Sequence, residues 1–309
     1  MKIESFPRKL FLFRNNLCMF AQTQNELHNM KHMSILAVSL LALVACTPEK
    51  KQEADYSQYV NPMIGTDFTG NTYPGAQLPF GMVQLSPDNG LPGWDRISGY
   101  FYPDTTIAGF SHTHLSGTGA GDLYDISFMP VTRPYKEAPA PLGIYSTFSH
   151  NDEAASAGYY RVLLKDYNIN VELTATERCG IQRYTFPEAE ASVFLNLKKA
   201  MNWDFTLDSK IEVVDSTTIR GYRLSQGWSP LQHVYFETRF SKPFVACHMD
   251  TTSIVTKEKG WIGTAYVARF DFNTKKDEEI LVTTGISGVS MEGAGTVSYT
   301  HLRAHETDS

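Results

Sequence analysis

The feature that most constrains the fold of this chain is a long succession of short segments in which apolar and polar residues alternate. Val, Ile, Thr, Tyr and Phe recur in these segments, and Gly, Pro, Asn and Asp separate them. This period and spacing are typical of half-buried antiparallel strands. No amphipathic helical period interrupts the series, so the sequence predicts an all-β fold, a sandwich of two packed antiparallel sheets. The strand candidates are Phe80–Asp88, Asp125–Val131, Tyr159–Leu164, Ile169–Ala175, Ile181–Phe186, Ser192–Leu197, Ile211–Asp215, Thr217–Leu224, His233–Phe240, Phe244–Met249, Trp261–Phe270 and Glu279–Ser287.

The composition is that of an ordinary globular protein. The chain has 309 residues, of which 42% are hydrophobic and 19% charged, and its formal net charge is −6. This balance excludes the basic surface of a nucleic-acid-binding protein and the charge excess of a disordered chain. We therefore expect a folded domain with no nucleic-acid partner.

The N-terminal region has the pattern of a secretory leader. A short polar lead, Met30 to Met33, precedes the apolar run Ile35–Val44, which ends at Ala45-Cys46. The run is too short to span the roughly 30 Å core of a bilayer, but it has the length of a signal-peptide hydrophobic region. A small residue before Cys46 resembles the lipobox of bacterial lipoproteins, in which the cysteine is acylated. The alternative interpretation is a buried helix of a cytosolic protein.

These patterns predict how the chain is divided. We expect residues 1–29 to be an over-extended, unstructured start, with Met30 or Met33 as the true initiator. Residues 30–46 would be a lipoprotein signal peptide, 47–57 a flexible linker, and 58–290 the β-sandwich domain. Acyl chains contribute about 0.8 kcal/mol per buried CH₂, so an acylated Cys46 would anchor the protein to a membrane, in the bacterial periplasm or at the cell surface.

The C-terminal residues follow a different pattern. Residues 295–309 lack the core periodicity of the preceding segments, whereas 289–294 resemble the start of a new element. We interpret 291–309 as the beginning of an interdomain segment followed by a tail foreign to the natural protein.

Two polar loops carry the candidate functional residues. Trp94 and Asp95 place an indole beside a carboxylate, and the glycine-rich stretch from Phe110 to Asp122 contains His112 and His114. Glycines let such a loop approach another group closely. An indole face can cover the C–H face of a sugar, and carboxylate and imidazole groups can bond its hydroxyls. Trp94 could equally be a core tryptophan in a turn.

The two histidines and the glycines allow other interpretations. His112 and His114, with Asp122 as a further ligand, could hold a metal, although the pattern lacks the ligands of a known metal motif. Hydrogen bonding to a sugar, or holding an interdomain loop, agrees better with their context. Gly117, Gly119 and Gly121 do not form a dinucleotide fingerprint, because no helical period follows them.

Cysteine and arginine positions leave further questions. Cys179 and Cys247 could pair or remain free thiols, and spacing does not decide between these states. Arg183, Arg220 and Arg223 are expected to be solvated charges on strand faces or interface charges rather than anion ligands.

Many blocks of this chain resemble the N-terminal domain of glycoside hydrolase family 92, in order and over about Tyr56 to Ala294. The blocks that carry the resemblance are Tyr59–Thr66, Tyr73–Ala76, Pro79–Pro87, Ser98–Tyr100, Gly109–Gly117, Gly119–Asp122, Ser149–Tyr160, Glu172–Thr176, Arg183–Pro187 and Gly285–Ser287.

The resemblance implies a calcium-dependent exo-acting α-mannosidase that inverts anomeric configuration. Family members have an N-terminal β-sandwich and a C-terminal (α/α)₆ barrel, with the active site at their junction. The expected partners are mannose-containing glycans of the N-glycan or mannan type and the barrel. Trp94, Asp95, His112, His114 and Asp122 would line the terminal-sugar subsite from the β-domain side.

This chain departs from the family where the chemistry lies. The general acid, the general base and most calcium ligands belong to the barrel, which this sequence lacks, so we assign it no catalytic residue and expect it to be inactive alone. The alternative function is that of a non-catalytic, lipid-anchored module that captures glycans.

Overall fold

A computed structural model describes residues 55–198, 202–256 and 261–298. The chain divides into two compact units, and the second, Tyr56–Ser309, contains nearly all of these residues. The start at 1–29, the signal peptide at 30–46 with Cys46, most of the linker at 47–57 and the end of the tail lie outside the described residues. Within the described ranges, no helix is long and apolar enough to cross a membrane.

Nearly all of the regular secondary structure in the described part of the chain is β-strand. Three short 3₁₀ helices occur at Ser57–Tyr59, Trp94–Arg96 and His150–Asp152, and residues 291–298 are α-helical. In chain order, the strands are β1 Ala76–Gln77, β2 Gln84–Asp88, β3 Thr106–Ile107, β4 Gly109–Ser111, β5 Ser127–Thr132, β6 Glu137–Ala138, β7 Gly143–Ile144, β8 Ser146–Thr147, β9 Glu153–Ser156, β10 Tyr159–Leu164, β11 Ile169–Ala175, β12 Cys179–Phe186, β13 Ala189–Asn196, β14 Phe205–Val213, β15 Thr218–Gln226, β16 Gln232–Phe240, β17 Ala246–Thr256, β18 Trp261–Thr274 and β19 Glu278–Ser287.

Two antiparallel sheets form a sandwich, which confirms the predicted fold class. The seven-stranded sheet has the order β1-β2-β4-β5-β13-β18-β17, and the eight-stranded sheet has the order β14-β15-β16-β19-β12-β11-β10-β9. The pairs β3-β8 and β6-β7 form two small additional sheets. The chain changes sheet between β12 and β13 and again between β18 and β19, so the two layers are linked repeatedly.

Side-chain alternation decides which face of each strand is buried. In β10 the buried residues are Tyr160, Val162 and Leu164, and in β11 they are Ile169, Val171, Leu173 and Ala175. Both strands have the bounds that the sequence pattern predicted. Because successive side chains point to opposite faces, these residues of the eight-stranded sheet share one core with the buried residues of the seven-stranded sheet.

The first half of β14 was missed in the sequence. The strand begins at Phe205 rather than at Ile211, and its register shifts between Thr206 and Asp208. Asp208 accepts hydrogen bonds from the backbone N–H of Thr264 (2.8 Å) and from the hydroxyl of Tyr222 (2.9 Å). A charged residue at a bulge breaks the alternation that identifies a strand, yet here it links the edges of the two sheets.

The two cysteines are free thiols in separate sheets. Cys179 is buried on β12, and Cys247 is half-buried on β17. Burial raises the pKa of the Cys179 thiol to about 12, so this residue is an inert core side chain.

The expectation that Arg223 is a solvated or interface charge is wrong. Arg223 is completely buried and donates to Asp204 (2.6 Å) and Asp125 (2.7 Å), which are also buried. It also donates to the hydroxyl of Thr206 (2.9 Å). Burial opposes its charge, but both carboxylates outweigh that effect and keep its pKa above the ordinary value. Strand alternation alone gives no sign of partners so distant in sequence.

The other two arginines agree with the prediction. Arg183 is partly exposed and pairs with Glu172 (2.6 Å), and Arg220 is partly exposed and pairs with Glu212 (2.9 Å). Such exposed pairs contribute little to stability.

We expect Arg223→Leu to destabilise the domain by about 3–5 kcal/mol, because it leaves Asp125 and Asp204 buried without a counter-charge. The matched control is Arg220→Leu on the same strand, which should cost at most about 1 kcal/mol. Urea unfolding followed by circular dichroism measures both. Equal costs for the two variants would show that Arg223 does not hold the fold together.

Candidate functional site

Exposed aromatic residues gather where several loops of the domain meet. Trp94, Trp203 and Trp228 are 58%, 45% and 82% exposed, with Phe205 and Leu231 also largely exposed. These five residues are called the aromatic end below. Single exposed apolar residues need no explanation, but a group of this kind is typical of a binding surface.

Hydrogen bonds to Asn202 fix the turn that carries Trp94. The backbone N–H of Gly93 donates to the Asn202 side-chain oxygen (2.9 Å), and the Asn202 amide donates to the Arg96 carbonyl (3.2 Å). Arg96 in turn forms two hydrogen bonds with Asp104. The 3₁₀ turn Trp94–Arg96 is therefore held from both ends, and its indole is presented on a rigid base.

The glycine-rich loop packs closely beside this turn. A Cβ at Gly119 would lie 3.2 Å from the Trp94 ring, and one at Gly121 would lie 2.6 Å from the Asn202 side chain. The close approach that the sequence predicted for this loop is therefore real, but it is made to protein groups. Trp94 also contacts Trp203, with ring centroids 6.4 Å apart. Asp95 follows Trp94 and is exposed.

Asp122 is buried and accepts hydrogen bonds from the turn that contains Trp228 and Ser229. One of its oxygens accepts from the backbone N–H groups of Trp228 (2.6 Å) and Ser229 (3.2 Å) and from the amide of Gln232 (2.9 Å). Its other oxygen has no hydrogen-bond partner among the described residues. The carboxylate fixes the turn that exposes Trp228.

His114 is buried in a fully hydrogen-bonded position. Its Nδ1 lies 2.7 Å from the Gln84 carbonyl, and its Nε2 lies 2.9 Å from Asp88 and 3.1 Å from the Ser111 hydroxyl. The Gln84 carbonyl, the Asp88 carboxylate and the Ser111 hydroxyl together satisfy both ring nitrogens. The ring also packs against Tyr73 and Tyr124.

His112 is buried in the core between the sheets. Its Nδ1 lies 2.7 Å from the Ile126 carbonyl, which makes Nδ1 the donor, and Nε2 has no partner within the described residues. Burial lowers the pKa of His112 to about 4, although the Ile126 carbonyl opposes this shift. The ring is therefore neutral at pH 7.

The structure thus separates the residues proposed from the sequence. Trp94 and Asp95 lie at the surface, whereas His112, His114 and Asp122 lie beneath it and bind protein groups. For those three, direct contact with a sugar would require their neighbours to move. Sequence reasoning missed Asn202, Trp203 and Trp228, although a tryptophan within a polar turn, as in Asn202-Trp203-Asp204 and Gly227-Trp228-Ser229, is a usable signal.

Among the described residues, no group of three or more His, Cys, Asp or Glu side chains is arranged to hold a metal ion. These residues therefore supply no carboxylate cluster of the kind that often binds calcium. No helix follows Asp122, since the next element is β5, in agreement with the rejection of a dinucleotide fingerprint.

We expect His112 to make stability fall in mild acid. The unfolded chain binds a proton at this residue below about pH 6.5, whereas the folded chain does so only near pH 4. Stability is therefore lost as pH falls between these values, with a slope of at most about 1.4 kcal/mol per pH unit. Urea unfolding at a series of pH values measures the slope.

His112→Gln keeps a donor for the Ile126 carbonyl and should lose this slope. The control His233→Gln, at an exposed position of β16, should retain it. A slope that survives in His112→Gln would contradict the assignment.

Comparisons with known proteins agree with this architecture. Residues 59–287 match the glycosyl hydrolase family 92 N-terminal domain. The solved GH92 α-mannosidase of Bacteroides thetaiotaomicron in complex with mannoimidazole is 38% identical, with a TM-score of 0.72, and the match covers 79% of this chain and 34% of that chain.

Two further relatives are more distant. A GH92 inverting mannosidase of Bacteroides thetaiotaomicron VPI-5482 is 24% identical, with a TM-score of 0.61 over 80% of this chain and 33% of that chain, a likeness of fold alone. An uncharacterized secreted glycosidase of Arthroderma benhamiae (strain ATCC MYA-4681 / CBS 112371) is 27% identical over 172 residues, 52% of this chain and 21% of that protein.

The chain thus spans about a third or less of the length of these relatives. The family match itself covers most of the sequence and begins and ends within the described sandwich. The chain belongs to glycoside hydrolase family 92, and residues 59–287 are the N-terminal β-sandwich domain of that family.

Proposed function

We propose that this domain lines the terminal-sugar subsite of an exo-acting α-mannosidase that hydrolyses terminal α-mannosides with inversion. The observation that carries the proposal is Trp94, a largely exposed indole on a turn fixed by Asn202, with the Asp95 carboxylate beside it. Among the relatives, a solved GH92 α-mannosidase that is 38% identical to this chain binds mannoimidazole. This supports mannose as the sugar.

Trp94 and Asp95 would hold complementary parts of the mannose. The C–H face of the pyranose packs on the indole, which contributes on the order of 1–2 kcal/mol. The carboxylate accepts hydrogen bonds from two ring hydroxyls. Because the turn is already ordered by Asn202 and Arg96, little conformational entropy is lost when the sugar binds.

Hydrolysis with inversion needs a proton donor and a base about 6.5–9.5 Å apart. The other carboxylates near Trp94 are committed: Asp104 pairs with Arg96, Asp122 accepts three hydrogen bonds, and Asp204 pairs with Arg223. We infer that a C-terminal (α/α)₆ domain supplies the acid, the base and the calcium ligands. The β-sandwich domain holds the sugar but does not cleave its glycosidic bond.

In this proposal the sugar covers one part of the aromatic end, and a second domain of the protein covers the rest. A single mannose covers Trp94 and Asp95, whereas Trp203, Phe205 and Trp228 spread over a wider surface. We propose that a C-terminal (α/α)₆ domain covers these outer aromatic residues, with the sugar enclosed at the junction. The match covers only 34% of the solved α-mannosidase, so a protein of this kind has room for such a domain.

Secretion and anchoring complete the proposal. A curated relative that shares 27% identity is a secreted glycosidase. We propose that the lipobox at Cys46 anchors this protein in the periplasm or at the cell surface, where mannose-containing glycans are degraded.

A non-catalytic glycan-binding module is the second candidate. Asp104, Asp122 and Asp204 bind protein groups here, as they would also do in such a module. The reading frame beyond Ala294 separates the two: a long continuation with helical periodicity supports the enzyme, and a natural end near Ser309 supports the module.

We expect the purified chain to release no mannose from a chromogenic α-mannoside above the uncatalysed rate, because acid and base are absent. Release of the chromophore is followed at several pH values with and without added calcium. Mannose release that co-purifies with the chain through a second purification step would refute the proposal that the acid and the base lie outside this domain.

We expect Trp94→Ala to weaken binding of methyl α-mannopyranoside about five- to thirtyfold, the loss of the indole contact. Isothermal titration measures the affinity. Phe80→Ala removes a fully exposed aromatic residue from another turn, and should leave the affinity unchanged. Equal affinities for Trp94→Ala and the unmodified chain would remove Trp94 from the site.

A further inference from the structure

A second group of polar and aromatic residues surrounds a pocket on the edge of the eight-stranded sheet. The pocket has a volume of about 390 Å³, and its lining includes Asn61, Asp67, Tyr102, His150 and Glu153. This volume falls within the range of about 300–1,000 Å³ that is typical of small-molecule sites. The Trp94 site shares none of these residues.

The buried carboxylate of Glu153 connects His150 with two tyrosines by hydrogen bonds. It accepts from the hydroxyls of Tyr100 (3.0 Å) and Tyr160 (2.6 Å) and from Nδ1 of His150 (2.7 Å). Burial, assisted by Glu153, raises the pKa of both tyrosines, so they remain donors. Because the carboxylate is only an acceptor, His150 must donate from Nδ1.

This contact leaves Nε2 of His150 as a hydrogen-bond acceptor when the ring is neutral. The ring is stacked on Tyr102, with centroids 4.0 Å apart and an angle of 13° between the planes, and Phe148 meets its edge at 5.1 Å. The side chain is 28% exposed. His150 is therefore held in one orientation with a partly exposed edge, and the Nε2 of its neutral form is free to accept a hydrogen bond from a ligand.

Asn61 and Asp67, which also line the pocket, add hydrogen-bond acceptors but no cation. One oxygen of Asp67 accepts from the backbone N–H of Phe68 (2.7 Å), and the Asn61 side-chain oxygen accepts from Met63 N–H (3.0 Å). No Lys or Arg is among the described residues that line the pocket. A pocket with carboxylate, amide and imidazole acceptors beside an aromatic ring suits a neutral ligand rich in hydroxyl donors, whereas an anion would be repelled.

We propose that this pocket is a second saccharide-binding site, in which His150 and Asp67 accept hydrogen bonds from ring hydroxyls and Tyr102 contacts the sugar face. The site goes beyond the proposed role of Trp94, and binding at one site does not require the other. It would let the domain hold a glycan at a point away from the bond to be cleaved.

The test follows the imidazole nitrogen resonances of His150 by NMR in the Trp94→Ala chain, so that the first site is removed. Methyl α-mannopyranoside and methyl α-glucopyranoside are the probes. We expect a saturable shift of the His150 Nε2 resonance with at least one of them. The absence of any saccharide-dependent shift would overturn the proposal, as would a shift produced by ethanolamine but by neither sugar.

The variant His150→Phe, in the Trp94→Ala chain, keeps the ring that stacks on Tyr102 but removes the acceptor. Isothermal titration should show saccharide binding weakened about five- to tenfold, as expected for one lost hydrogen bond. Asp67→Asn, on the other wall, should weaken it similarly and serves as the readout if His150→Phe unfolds. His233→Phe, at an exposed position of β16, should leave it unchanged. Unaltered binding in both pocket variants would overturn the assignment. Failure of the Trp94 proposal would leave these results unaffected.

Discussion

The buried ion pairs of Arg223 are the constraint on which the rest of the structure depends. Arg223 lies on β15, Asp125 lies two residues before β5, and Asp204 directly precedes β14. A charge that is completely buried is stable only when its partners are fixed around it. These three residues therefore join the two sheets to the segments that flank the glycine-rich loop, and the Asp204 side chain also accepts from the Leu123 N–H.

The strands could be predicted because one local rule decides them. β10 and β11 alternate without interruption, and their bounds follow from the sequence. The start of β14 could not be predicted, because Asp208 lies at a bulge and is satisfied by Thr264 and Tyr222, residues from other strands. The burial of Arg223 could not be predicted for the same reason, since its partners Asp125 and Asp204 lie 98 and 19 residues away along the chain. Alternation describes a strand, whereas the satisfaction of a buried polar group depends on the tertiary structure.

The candidate site was predicted in part for a related reason. The polar sequence of His112-Thr113-His114 suggests an exposed, ligand-binding loop. In the structure, the Gln84 carbonyl and the Asp88 carboxylate satisfy the His114 ring, and the Ile126 carbonyl accepts from one nitrogen of the His112 ring. Trp94 shows the converse. An apolar side chain would be expected in the core, but Gly93 and Arg96 are tied to Asn202, and the turn directs the indole outward.

At each surface proposed for binding, a buried or half-buried polar side chain fixes the position of an exposed contact group. Asp122 fixes the turn of Trp228, Asn202 fixes the turn of Trp94, and Glu153 orients His150. In each case the buried or half-buried group makes hydrogen bonds that water would otherwise compete for, which holds the exposed group in one position. Sugars bind weakly because water solvates their hydroxyls well, so a site gains affinity mainly by being ordered before the sugar arrives. That requirement explains why so many polar residues of this domain face inward, behind the surfaces that we propose for binding.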